Sequence, residues 1–69
     1  MMVNTEMLRD AIRESGLKNG SIAEAIGISV QSLQRKVDGE TEFKASEIVG
    51  LTTVLRLSKS ERDQIFLRA

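Results

Sequence analysis

Apolar side chains recur along the chain at spacings of three, four and seven residues, and no stretch alternates between apolar and polar positions. Those spacings are the period of an amphipathic α-helix, whereas alternation would have indicated a β-strand. The sequence therefore predicts five short helices and no sheet. The side chains expected to form one shared core are Leu8, Ile12, Leu17, Ile22, Ile26, Leu33, Phe43, Ile48, Leu51 and Leu55.

Residues 19–38 carry the most informative pattern, which is two predicted helices joined by a tight turn. Gly27 ends the first of them, because glycine takes a left-handed backbone conformation without steric cost. Ser29 is expected to cap the second helix by accepting a backbone N–H, and Leu33 and Val37 define the buried side of that helix. A helix, a short turn with glycine and a second helix form the helix-turn-helix signature.

Other local signals mark helix ends and contacts elsewhere in the chain. Asn4 or Thr5 is suited to cap the first helix, and Ser58 followed by Glu61 forms a capping box for the fifth. Gly50 lies inside the fourth predicted helix, where glycine costs roughly 1 kcal/mol relative to alanine. We interpret this glycine as the site of a close crossing with another helix.

Composition narrows the class of function. The 69 residues include no cysteine and no histidine, which excludes disulfides, zinc-thiolate sites and the commonest metal ligand and general base. Paired carboxylates in an apolar pocket, an activated nucleophile and a phosphate-binding glycine loop are not recognisable either. We therefore expect no enzyme activity, metal, cofactor or small-molecule substrate. No apolar run approaches the roughly 20 residues of a membrane span, and a cytoplasmic location is the default expectation.

Net charge does not indicate nucleic-acid binding, because ten basic and ten acidic residues balance. The positions of the polar side chains are more informative about function than the net charge. In the helix at 29–37, Gln31 and Arg35 lie opposite the expected core, and Gln34 lies on its flank. Long hydrogen-bonding side chains placed there reach base edges when a helix enters the major groove. The alternative is an ordinary solvated helix face. Val30 has two interpretations, the edge of the core or a contact with a thymine methyl group.

Phosphate contacts are expected around the rim of this helix. A helix N-terminus offers free N–H groups and partial positive charge, so the start of the second helix is a natural phosphate site. Lysines nearby would add charge, although solubilising surface is the commoner role of a lysine. Arg9 and Arg13 in the first helix are instead expected to pair with neighbouring acidic residues. The candidate phosphate contacts are Lys18, Asn19, Gly20, Ser29, Ser32, Lys36 and Lys44.

Four residues of the two motif helices and their turn follow a spacing that is hard to meet by accident in so short a chain. They are Ala23, Gly27, Ile28 and Leu33. In these positions the segment 18–39 resembles the helix-turn-helix of Cro and phage-repressor-type regulators, the XRE family. The resemblance implies an all-α, compact five-helix single domain of the lambda-repressor-like DNA-binding type, with the motif at helices two and three. It also implies a phage or prophage protein that regulates transcription, in a repressor-like manner, by binding double-stranded DNA sequence-specifically.

Two features depart from the pattern of that family. Lys36 stands where an apolar residue is common, and Val37 is expected to take the core position instead. The loop after the second motif helix carries Glu40 and Glu42, where basic residues often contact phosphates.

A third departure concerns the start of the fourth helix. Lys44 replaces a threonine that would form a capping box with Glu47, and a lysine side chain has no hydrogen-bond acceptor. Glu47 or Ser46 must then satisfy the first N–H groups of that helix.

The resemblance further implies a homodimer on a pseudo-palindromic operator. Ile65, Phe66 and Leu67 are the expected dimer interface, because this apolar triplet covers more than one face of a helix. The alternative function is a protein–protein interaction module with the same fold and weak or no DNA binding, which the balanced charge and the acidic loop favour. A structural fragment of a larger protein is less expected, since the sequence starts with methionine and contains no linker.

Overall fold

A computed structural model describes residues 3–66 of the chain, and this stretch forms five α-helices around one apolar core. No strand occurs within it, so the predicted all-helical architecture is confirmed. None of the described helices is long and apolar enough to cross a membrane. The helices are α1 (Thr5–Ser15), α2 (Asn19–Ile26), α3 (Val30–Val37), α4 (Ala45–Val54) and α5 (Lys59–Phe66).

Three of the helix starts use the side chains that the sequence indicates. The Asn4 side-chain oxygen accepts the N–H three residues later at 3.1 Å, so Asn4 rather than Thr5 caps α1. Ser29 caps α3 in the same way at 3.1 Å. Ser58 and Glu61 exchange hydrogen bonds at 3.1 and 2.8 Å, which is the predicted capping box.

Left-handed residues end the helices that lead into tight turns. Gly27 has φ +78°, and the N–H of Ile28 donates to the Ala23 carbonyl at 3.0 Å, which closes the turn between α2 and α3. Arg56 ends α4 in the same conformation with φ +54°, although it carries a side chain. A left-handed residue other than glycine costs roughly 1–2 kcal/mol, so this end of α4 is strained.

Ten apolar side chains from all five helices and their flanking residues form the buried cluster. Of the predicted core residues, Ile12, Ile26 and Ile48 pack against this cluster only half-buried. α5 closes the core, and the Asn4 N–H donates to the Ile65 carbonyl at 2.8 Å where α1 and α5 meet. The buried residues are Leu8, Ile22, Ala23, Leu33, Val37, Phe43, Leu51, Leu55, Ile65 and Phe66.

Leu17 does not join the core, and the prediction that it would is wrong. Gly16 turns the chain at the end of α1 with φ +71°. The Leu17 N–H then donates to the Ser15 hydroxyl at 3.1 Å, and the leucine is 42% exposed. The turn that ends α1 therefore leads this residue away from the cluster.

α2 and α4 cross closely at Gly50, as the glycine predicts. A Cβ atom built on Gly50 would lie 2.8 Å from Cγ2 of Ile26 and 3.4 Å from its Cβ. A side chain at this position would therefore require the Ile26 side chain or one of the two helices to shift. The propensity cost of a glycine inside a helix is offset here by the closer packing of two helices.

We expect Gly50→Ala to destabilise the protein by about 1–3 kcal/mol, because the added methyl group overlaps Ile26. Gly20→Ala is the matched control, since Gly20 lies in α2 and its Cβ would meet nothing within 4 Å. The control should be neutral or stabilise by up to about 1 kcal/mol through helix propensity. Urea unfolding measures both, and an equal effect of the two substitutions would contradict the close crossing.

Candidate nucleic-acid interface

α3 has one buried face and one exposed polar face. Leu33 and Val37 are buried in the core. Gln31, Gln34 and Arg35 are exposed, and none of their side chains makes a hydrogen bond or ion pair within residues 3–66. Their donors and acceptors therefore face solvent, which is the arrangement that a surface for base edges requires.

Val30, at the start of α3, is exposed as well. It is 38% exposed and is not among the side chains packed against the core cluster. Both interpretations of Val30 remain open, and an apolar group lies beside the polar face. Ser29 and Ser32 are joined by the helix cap, with the Ser32 N–H bound to the Ser29 hydroxyl oxygen, and Ser32 is half-buried.

The start of α2 presents backbone N–H groups next to this helix. Lys18 occupies the cap position but makes no capping hydrogen bond with its side chain. The first helical hydrogen bond runs from the Ile22 N–H to the Lys18 carbonyl at 3.1 Å. The N–H groups of Asn19 and Gly20 come before that bond in the chain, so they have no partner within the helix. Both residues are exposed. This end of α2 fits the predicted phosphate site.

A shallow groove of about 410 Å³ between α1 and α3 brings together Asn19 and Gln34, which the sequence assigned to different contacts. Arg9 and Arg13 also line this groove. Arg13 pairs with Asp10 on its own helix, as predicted.

Arg9 instead pairs with Asp38 at the end of α3, across 29 residues of sequence. The expectation that Arg9 would pair within α1 is therefore wrong, because the fold brings a more suitable carboxylate from another helix.

Lys36 does not face solvent, which corrects its assignment as a phosphate contact. Its ammonium nitrogen lies 2.6 Å from Oε1 of Glu47, and the two side chains are 12% and 7% exposed. The same nitrogen lies 6.0 Å from the centre of the Phe43 ring. Lys36 occupies the inward side of α3 next to Val37, and its charge is neutralised by a carboxylate within the fold.

Glu47 also completes the start of α4. Its Oε1 atom accepts the Lys44 backbone N–H at 2.8 Å, which is the glutamate's own half of a capping box. The other half needs a side-chain acceptor that lysine lacks, and the Glu47 N–H donates to the Lys44 carbonyl at 3.0 Å instead. Burial opposes ionisation of this carboxyl group, but the hydrogen bonds from Lys36 and Lys44 and the charges of both lysines outweigh burial and lower its pKa. Glu47 is therefore a buried carboxylate held in its charged form.

Ile65 and Phe66 belong to the core and not to an exposed dimer surface. They are 1% and 0% exposed, and the Phe66 ring meets the Phe43 ring edge to face at 5.5 Å. The prediction that these two residues form a dimer interface is corrected, because they complete the chain's own core. Leu67, the third residue of that prediction, lies outside the described residues.

Three basic side chains around α3 remain available for an anion. Lys18, Arg35 and Lys44 are exposed and form no ion pair within residues 3–66. Glu40, in the loop after α3, is exposed too and opposes their positive charge. The surface around α3 is thus only modestly favourable to phosphate.

Acid is expected to weaken the fold through Glu47. Because its folded pKa lies below the ordinary value of 4.5, the carboxylate stabilises the fold above that value, and this contribution is lost as the pH falls through the lowered pKa. The free energy of unfolding, measured with urea from pH 7 to about pH 3, should fall through this range.

The double variant Lys36→Met, Glu47→Gln removes both charges and keeps an oxygen for the Lys44 N–H, so its stability should depend less on acid. Glu61, whose pKa is lowered by the backbone N–H and hydroxyl of Ser58, contributes equally to both proteins. Parallel losses of stability in the two proteins would show that Glu47 is not the group responsible.

The chain matches no protein-family model, and no curated protein or solved structure is significantly similar to it. Its function is therefore argued from the exposed face of α3 and from the groups that surround that face.

Proposed function

We propose that this protein is a sequence-specific DNA-binding regulator, repressor-like in action, that inserts α3 into the major groove. In this proposal α2 and α3 are the two helices of a lambda-repressor-like helix-turn-helix. The observation that carries the proposal is the exposed face of α3, where Gln31, Gln34 and Arg35 have no partner within residues 3–66. The protein would act in the cytoplasm by binding alone, without catalysis or a cofactor.

The chemistry of this face suits base recognition. A helix about 10–12 Å across fits a major groove about 12 Å wide. Glutamine forms two hydrogen bonds with adenine, one as donor and one as acceptor. Arginine also forms two hydrogen bonds with guanine, and it donates both. Gln31 and Arg35 are four residues apart and so share one side of α3. Val30, exposed beside them, offers an apolar contact for a thymine methyl group.

Phosphates would be held around this helix by a small set of groups. The N–H groups at Asn19 and Gly20 offer partial positive charge, and Lys18 and Lys44 offer full charges. Lys36 is no longer included, since Glu47 neutralises it. With so few contacts and an acidic loop nearby, we expect affinity to depend only weakly on salt concentration.

The proposed DNA complex contains two copies of the chain. Half-sites of this class of operator lie about 34–36 Å apart, and the largest extent of the Cα trace is 28 Å. Neighbouring copies on one face of the duplex would therefore come close without overlapping. Contact between them would be limited, which favours a dimer that forms mainly on DNA.

A protein–protein interaction module is the second candidate function. The observation that favours it is the exposed acidic loop after α3, which includes Glu40 and Glu42, in a chain of zero net charge. Selection of bound duplexes from a random DNA library discriminates between the two. Enrichment of a sequence supports the regulator, and its absence favours the protein partner.

We expect Gln31→Ala and Arg35→Ala each to cost about 1–3 kcal/mol on the selected duplex and little on a scrambled one, because each removes a base contact. Titrations of both duplexes at several salt concentrations measure this difference. Equal losses on the two duplexes would exclude base reading by this face of α3.

Lys18→Ala should instead weaken binding to both duplexes similarly and reduce the dependence of log K on log salt by about one. Lys59→Ala, which removes an exposed lysine at the start of α5, is its matched control and should leave that dependence unchanged. A similar effect of the two lysine substitutions would mean that Lys18 acts only through net charge.

The number of copies on DNA is a separate prediction. Sedimentation should find mainly monomer for the free protein and two copies per duplex when both half-sites are present. A duplex with one half-site destroyed should bind one copy with lower affinity. Strictly one copy on the intact palindromic duplex would rule out the dimer.

A further inference from the structure

The ion pair between Lys36 and Glu47 joins two helices that otherwise share little contact. α3 packs on α1 and α2, and α4 packs on α2, whereas α3 and α4 do not lie closely along one another. The 2.6 Å contact of the Lys36 ammonium group with Oε1 of Glu47 links the two helices directly. Because the two side chains are 12% and 7% exposed, water screens this contact far less than a surface pair.

Glu47 connects α3 to the start of α4 at one atom. Oε1 accepts both the Lys36 ammonium group and the Lys44 N–H, at 2.6 and 2.8 Å. The Lys36 nitrogen lies 6.0 Å from the Phe43 ring centre, and Phe43 in turn packs on Phe66. The C-terminal half of α3 is thereby tied to the start of α4 and to the aromatic pair that seats α5.

The other inward contacts of α3 are apolar. Leu33 and Val37 bury hydrophobic surface, which holds the helix against the core but has no directional preference of its own. A charge-assisted hydrogen bond does depend on direction. The ion pair of Lys36 therefore adds a directional constraint on the rotation of α3 about its axis, and Lys36 directly follows Arg35 in the chain.

We infer that Lys36 and Glu47 are positioning residues, and that their ion pair sets the rotation of α3 and so the discrimination between its target sequence and other DNA. This inference rests on the proposed function, since it assigns a role in base reading. It concerns residues that touch no base or phosphate themselves. The pair acts through Gln31 and Arg35, which share the rigid helix.

The test compares the native protein with the variant Lys36→Met, Glu47→Gln, in which both charges are absent and the cap oxygen at residue 47 remains. Circular dichroism and urea unfolding establish that the variant folds. The single substitution Glu47→Gln is a milder variant that leaves the Lys36 ammonium group a neutral oxygen to bind. Arg62→Met, Asp63→Asn is the matched control, because it removes an ion pair within α5.

The first readout is the ratio of Kd values on scrambled and selected duplexes. We expect the variant Lys36→Met, Glu47→Gln, here called the neutral-pair variant, to lower this ratio roughly tenfold, which is about the effect of one misplaced base contact. Its affinity for scrambled DNA and its salt dependence should stay unchanged. Glu47→Gln should lie between it and the native protein, and the α5 control should match the native protein.

The second readout needs no DNA. The chain contains no cysteine, so spin labels on Gln34→Cys and Val49→Cys, both at exposed positions, report the distance between α3 and α4 alone. The distance distribution should shift or broaden in the neutral-pair variant. It should be unchanged in the α5 control.

Each contrary result has a distinct meaning. An unchanged label distance, or an altered distance with an unchanged Kd ratio, overturns the positioning role. Equal losses on both duplexes with a salt dependence reduced by about one would make Lys36 a phosphate contact. A native protein that prefers no duplex refutes the proposed function and with it the role in base reading, while the label distance still decides whether the pair orients α3.

Discussion

The crossing of α2 and α4 at Gly50 is the contact on which the arrangement of the other helices depends. α2 lies between α3 and α4, so its distance from α4 sets how far apart those two helices stand. That distance in turn decides whether a lysine on α3 is able to reach a carboxylate on α4. The glycine at position 50 and the ion pair between Lys36 and Glu47 thus both depend on the distance between α2 and α4.

The ion pairs within the fold change what the zero net charge implies for binding. One lysine is neutralised within the fold by Glu47, and other basic residues are paired on the surface, as Arg9 is with Asp38. The charges that remain for a partner are therefore fewer than the composition suggests, and Lys18, Arg35 and Lys44 are the ones around α3. Recognition by such a surface would depend more on hydrogen bonds to particular groups than on attraction to a charged polymer.

Features set by neighbouring residues could be predicted from the sequence more fully than features set by distant residues, although the crossing at Gly50 was predicted too. The cap at Ser29 and the turn at Gly27 follow from local backbone chemistry. The partner of Lys36 is eleven residues away on another helix, and a buried glutamate has no sequence signature of its own. The apolar pair Ile65 and Phe66 indicated burial, but spacing alone does not tell a chain's own core from a partner's surface.

The hydrogen bond from the Asn4 N–H to the Ile65 carbonyl places the two ends of the described chain side by side. The order of the helices in space is therefore separable from their order along the chain. A circularly permuted protein, with these ends joined by a short flexible linker and new ends opened in the exposed loop near Thr41, would keep every helix and the core intact. Only the connection between α3 and α4 would be cut, leaving their packing on α2 and the Lys36–Glu47 ion pair to hold them together.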